Sequence, residues 1–71
     1  MSKFDVSIKT LSLDKNIIDV LENNNVSTIN DLWAMNRSSL RNIGLIDSQI
    51  NKIIIKLELL GIDLGKKINK V

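Results

Sequence analysis

The stretch that decides the fold of this chain is NRSSLRNIGLIDSQINKIIIKLELLGIDL, residues 36–64. Asn36 carries a side chain that caps helices well, and Gly44 can adopt the positive φ that often ends them. A short helix is therefore predicted between the two. Asp47 is also a good N-cap, and a longer helix is predicted to begin at Ser48 and stop at Gly61. Two helices joined through a glycine turn form a helical hairpin.

The longer helix has one apolar face. Side chains spaced i, i+3, i+4 and i+7 share a face, and the residues with this spacing are Ile50, Ile53, Ile54, Leu57 and Leu60. This face is predicted to pack on the core. Ile55 and Leu59 fall roughly opposite, so they are exposed in a monomer unless an N-terminal arm covers them through Phe4 and Val6. The sequence leaves both arrangements open.

Two more helices are predicted in the first half of the chain. The first is capped by Ser12 or Asp14 and ends in the asparagine triplet, because asparagine tolerates the left-handed conformation. The second is short and runs from Ser27 or Thr28 to about Met35. Both helices place apolar residues on one side.

These elements predict an all-α fold, a compact domain of four to five helices with a helix-hairpin-helix-like second half. Seventy-one residues make one small domain. We expect an N-terminal arm over residues 1–7, the helical domain over 8–65 and a basic tail over 66–71.

The composition argues against several classes of protein. The chain has neither cysteine nor histidine, so it lacks the thiolate and imidazole groups that most metal sites and catalytic bases use. We expect no enzyme activity, no metal, no cofactor and no small-molecule substrate. No apolar run approaches the length of a membrane span, and the N-terminus lacks a signal-peptide pattern. A cytoplasmic protein without membrane contact is predicted.

The positive charge is concentrated near the C-terminus. Residues 1–63 hold seven basic and eight acidic side chains, and the net charge of +2 arises from Lys66, Lys67 and Lys70. A surface that binds DNA must neutralise phosphates. A nearly neutral body can do this only where its cations cluster in space.

The order of apolar positions and loops resembles the C-terminal domain of the bacterial RNA polymerase α subunit. The resemblance covers roughly residues 8–65. The matching residues are Ile8, Leu11, Leu13, Leu21, Val26-Ser27-Thr28-Ile29, Asp31-Leu32, Leu40, the hairpin, Ile53, Leu57 and Gly61-Ile62-Asp63-Leu64. It implies a non-catalytic module that contacts DNA, a transcription regulator or RNA polymerase.

The resemblance also implies where DNA would be contacted. The family uses an arginine and an asparagine of its first helix, and the aligned residues here are Asn16 and Asp19. The family's Gly-Lys-Lys-Ser before its last helix aligns with residues 46–49. The nucleic-acid-binding residues implied in this way, with their neighbours, are Lys15, Asn16, Asp19, Ile46, Ser48, Gln49 and Lys52. Because the family's basic residues are replaced, DNA binding is expected to be weak or lost.

Other residues suggest a contact with protein. Arg37 and Arg41, four apart, lie on one side of the third helix and can hold a phosphate or a carboxylate, or simply keep the surface soluble. Trp33 with Ile55 and Leu59 offers an apolar contact for a partner or for a second copy in a homodimer.

A protein-interaction module without DNA binding is the alternative function. A sterile-α-motif domain has similar length and a comparable pattern at its end, seen here as Leu40, Ile43, Gly44 and Ile50. The segments 26–32 and 61–64 favour the polymerase-like fold over this alternative.

Overall fold

The computed structural model describes residues 4–68, a small helical domain with a short β-hairpin. A 3₁₀ helix over Ile8–Leu11 comes first. The remaining elements, in chain order, are α1 (Lys15–Asn23), α2 (Ile29–Trp33), α3 (Arg37–Asn42), α4 (Asp47–Glu58), β1 (Ile62–Asp63) and β2 (Lys67–Ile68). The four predicted α-helices are present, with ends within two residues of those expected.

The core takes at least one apolar side chain from every helix, from β1 and from the loops. Its buried members are Ile8, Leu11, Ile17, Ile18, Leu21, Val26, Ile29, Leu32, Leu40, Leu45, Ile50, Ile53, Leu57, Ile62 and Leu64. Within residues 4–68 no polar or charged residue is buried. Burial of apolar surface is therefore the main source of stability.

The turn between α3 and α4 closes as the sequence predicts. Asn36 accepts a hydrogen bond from the Ser39 amide at 2.8 Å and so caps α3. Gly44 has a φ of 112°. The Leu45 amide then bonds back to the Leu40 carbonyl at 3.2 Å, and both side chains are buried. This turn sets the direction in which α4 leaves.

The predicted apolar face of α4 is confirmed in its middle and fails at its end. Ile50, Ile53 and Leu57 are fully buried, and Ile54 is half-buried. Leu60 is 41% exposed, against expectation. The helix ends at Glu58, so the regular spacing that would carry Leu60 to the core stops before it.

The predicted capping role of Asp47 is wrong. Ile46 occupies the N-cap, and the Gln49 side-chain oxygen accepts a hydrogen bond from its amide at 3.1 Å. Asp47 is the first residue of α4, and its carboxylate accepts from Arg41 Nη2 at 2.7 Å. The carboxylate is therefore used between two helices and caps neither of them.

The N-terminal segment runs beside the start of α2. The Ile29 and Asn30 amides donate to the carbonyls of Val6 and Phe4 at 2.8 and 2.9 Å, and the Ile8 amide donates to Ser27 at 3.0 Å. The arm therefore lies along α2. Val6 keeps 44% of its surface exposed, and Ile55 on α4 is 55% exposed, so the arm does not cover the outer face of α4.

The C-terminal hairpin is an addition to the predicted all-α fold. Ile62 pairs with Ile68 and Asp63 with Lys67, antiparallel, around a turn in which Gly65 and Lys66 have φ of 76° and 60°. The Gly65 amide donates to the Met35 carbonyl at 2.7 Å. Residues 66–68 of the predicted basic tail thus belong to the hairpin, whereas Lys70 lies outside the described residues.

Candidate interaction surfaces

The start of α1 is held against α4 by an ion pair. Lys52 Nζ lies 2.9 Å from Asp14 Oδ2, and both side chains are more than half exposed. Asp14 stands at the N-cap of α1 without a capping bond from its side chain. An exposed pair of this kind adds at most about 1 kcal/mol to stability. Its chief effect on the surface is to cancel the charge of Lys52.

A groove of about 280 Å³ runs between these two elements. It is lined by Ser12, Leu13, Asp14, Lys52, Ile55 and Lys56. The structure therefore brings together Lys52, predicted to contact DNA, and Ile55, predicted to contact a partner. The sequence does not show this juxtaposition, because nearly forty positions separate the two sides of the groove.

The predicted DNA residues on α1 lie on a surface of mixed charge. Lys15, Asn16 and Asp19 are exposed. Beside them a groove of about 320 Å³ is lined by Lys9, Leu13, Lys15, Ile18, Asp19 and Glu22. Lys9 pairs with Glu22 at 3.8 Å. Two cations thus face two carboxylates, an arrangement that attracts phosphate weakly.

The residues predicted to contact DNA around the first turn of α4 differ in their exposure to solvent. Ile46 is 63% exposed and Ser48 is exposed, whereas Gln49 is half-buried and holds the Ile46 amide. Within residues 4–68 no hydrogen bond or ion pair joins Ser48 or Gln49 to α1. Asp47, between Ile46 and Ser48, is paired with Arg41, so this segment offers no free cation to a phosphate.

The residues predicted to contact a partner do not form a single surface. Ile55 and Leu59 are 55% and 76% exposed on the outer face of α4. Trp33 is half-buried, with the Phe4 ring edge-on to it at a centroid distance of 5.3 Å. The Lys66 ammonium lies 5.7 Å from the Trp33 ring centre. The surroundings of Trp33 are thus formed by the two ends of the described chain.

The two arginines of α3 have different partners. Arg41 pairs with Asp47, while Arg37 Nη1 makes a long contact of 3.4 Å with Asn51 Oδ1. Arg37 also lines a groove of about 310 Å³ beside the β-hairpin. The lining residues are Asn36, Arg37, Ser38, Asp63, Leu64, Gly65 and Lys67. The sequence does not reveal this groove, because Lys67 is predicted to lie in a basic tail.

No protein-family model matches this sequence, and comparison with curated proteins also yields no match. Among residues 4–68 there is no group of three or more acidic side chains placed to hold a metal ion. In the same part of the chain, every helix is too short or too polar to cross a membrane.

Proposed function

We propose that this domain is a non-catalytic, transcription-related module of the type found at the C-terminus of the RNA polymerase α subunit. In this proposal its second half is a helix-hairpin-helix unit, it acts in the cytoplasm, and it contacts DNA, RNA polymerase or a transcription regulator. The observation that carries the proposal is the α3–α4 turn. Leu40 of α3 and Ile53 and Leu57 of α4, three matching positions of the resemblance, are buried on the two sides of the turn at Gly44.

The ion pair between Lys52 and Asp14 supports the same proposal. It joins Lys52 of α4, a residue that the resemblance implies for DNA contact, to the residue that precedes α1, the helix that the family uses for DNA. The affinity for DNA is expected to be low, because Lys9 and Lys52, on the surface around α1, each form an ion pair with a carboxylate. A protein contact would then supply much of the binding free energy in the working complex.

A shift titration tests the DNA part of the proposal. We expect an A·T-rich duplex added to ¹⁵N-labelled protein at low salt to shift a localised set of amides, and the shifts to fade when salt is raised, because phosphate contacts release counterions. A G·C-rich duplex of equal length is the control for sequence preference. No shifts with either duplex at low salt would contradict DNA contact and leave the protein contact as the function.

A pure protein-interaction module is the second candidate, and the exposed side of α4 favours it. Ile55, Leu59 and Leu60 are 55%, 76% and 41% exposed at one end of the helix. Contiguous apolar surface on a small domain often marks a protein contact. Three side chains cover far less than the roughly 800 Å² per partner of a stable interface, so any homodimer is expected to be weak.

Sedimentation velocity over a wide concentration range tests this second candidate. We expect the sedimentation coefficient of the natural chain to rise with concentration, and Leu59→Ser to abolish the rise. Ile46→Ser is the matched control, since Ile46 is also well exposed but lies at the other end of α4. A purely monomeric natural chain would exclude self-association, and equal effects of the two variants would place the contact elsewhere.

A further inference from the structure

The cations without an ion pair are unevenly distributed over the surface. Lys9, Arg41 and Lys52 are paired with carboxylates. The other basic residues within 4–68, for which no ion pair is present in that part of the chain, are Lys15, Arg37, Lys56, Lys66 and Lys67. Three of these five lie at α3 and the β-hairpin.

The hairpin brings two of these cations, Arg37 and Lys67, to one groove. Arg37 begins α3 and Lys67 lies in β2, yet both line the groove of about 310 Å³ described above. Lys66 adjoins Lys67, and its amide donates to the Trp33 carbonyl at 2.8 Å. Trp33 Nε1 donates in turn to the Lys67 carbonyl at 2.9 Å. These bonds fix the backbone that carries both lysines.

We propose that this groove between α3 and the β-hairpin holds the phosphate backbone of duplex DNA. The inference rests on the proposed function, and it moves the DNA contact away from the α1 and α4 residues that the resemblance implies. A guanidinium can hold two phosphate oxygens at once, and an ammonium adds a point charge. Arg37 and Lys67 supply one group of each kind.

The lining of the groove favours phosphate over a protein partner. Five of its seven lining residues have polar or charged side chains, and the one aliphatic member, Leu64, is buried. Protein interfaces are usually centred on an apolar or aromatic anchor. The present contact of Arg37, 3.4 Å from Asn51 Oδ1, is long and easily exchanged for a phosphate oxygen.

Asp63 is the acidic residue among those that line the groove, where Arg37 and Lys67 are basic. Its replacement provides a second test. Its Oδ1 accepts from the Leu64 amide at 2.7 Å. Asp63→Asn keeps an oxygen for that bond and removes a negative charge that faces Lys67 across the hairpin. We expect this variant to bind DNA more tightly, by roughly threefold at low salt.

Fluorescence anisotropy of a labelled 20-base-pair duplex provides the measurement. We expect Arg37→Gln with Lys67→Gln to weaken binding roughly tenfold at low salt and to flatten the slope of log affinity against log salt by about 2. Lys9→Gln with Lys56→Gln removes the same charge at residues that are not predicted to contact DNA, and is the matched control. It should weaken binding less than about threefold. Circular dichroism must show that each variant is folded.

The outcomes separate this inference from the function on which it rests. If the natural chain binds the duplex but the control pair loses as much affinity as the groove pair, the groove assignment is wrong and DNA contact stands. An unchanged or weakened affinity of Asp63→Asn would also overturn the groove assignment. If the natural chain binds no duplex at low salt, the DNA part of the proposed function fails, and this inference fails with it.

Discussion

Replacing Leu57 with alanine should lower the free energy of unfolding by about 3 kcal/mol. Leu57 is fully buried on the inner face of α4. Its truncation removes apolar contacts and leaves a cavity that this small core can close only in part. A domain of this size has a total stability of roughly 5 kcal/mol, so most of it would be lost.

Urea unfolding followed by circular dichroism measures this effect. With a slope of about 1 kcal/mol per molar urea, the midpoint should fall by roughly 3 M. Leu59→Ala is the matched control, because the same change two positions along the chain affects a side chain that is 76% exposed. It should change stability by no more than about 0.5 kcal/mol. Equal losses for the two variants would show that the register of α4 is wrong.

The second large effect is expected at Trp33, where both ends of the described chain are attached. Trp33→Ala should cost about 3 kcal/mol, because it removes the Phe4 ring contact, the Lys66 contact and the bond to the Lys67 carbonyl. Trp33→Phe keeps an aromatic ring and loses the donated hydrogen bond. It should therefore cost only about 1 kcal/mol.

Amide hydrogen exchange distinguishes this role from a general loss of packing. The Gly65 and Lys66 amides donate to Met35 and Trp33, so their protection depends on the hairpin staying attached. In Trp33→Ala we expect the protection of these two amides to fall by more than that of the Leu45 amide in the α3–α4 turn, whose loss is limited to the fall in global stability. Unchanged protection of Gly65 and Lys66 would mean that β1 alone holds the hairpin in place.

The helices could be predicted from the sequence because their signals are local. Asn36 caps α3 as expected, and Thr28, where the second helix is predicted to begin, caps α2. Such caps depend only on residues three positions away. The face of α4 follows from a spacing within a single helix. The same spacing places Ile55 and Leu59 opposite that face, but it does not decide whether the N-terminal arm covers them, and the structure shows both exposed.

What the sequence could not provide depends on contacts between distant segments. Asp14 occupies the N-cap position of α1, one of the two positions predicted for it, but its side chain pairs with Lys52 and makes no capping bond. Asp47 is predicted as a cap, but it lies inside α4 and pairs with Arg41. The hairpin was missed because its strands have two residues each and depend on Trp33, more than thirty positions earlier. The candidate groove is not evident from the sequence for the same reason, since Lys67 lines the same groove as Arg37 only once the hairpin has formed.

The position of Trp33 also determines what an optical experiment on this protein can detect. It is the single tryptophan of the chain, and Phe4, Lys66 and the Lys67 carbonyl surround it. The wavelength and quenching of its fluorescence therefore report whether Phe4 and the β-hairpin, which carries Lys67, are packed against it. Binding of a partner to the outer face of α4 would not be reported by this tryptophan. A fluorescent label attached at Ile46 or Leu59 would be needed to detect it.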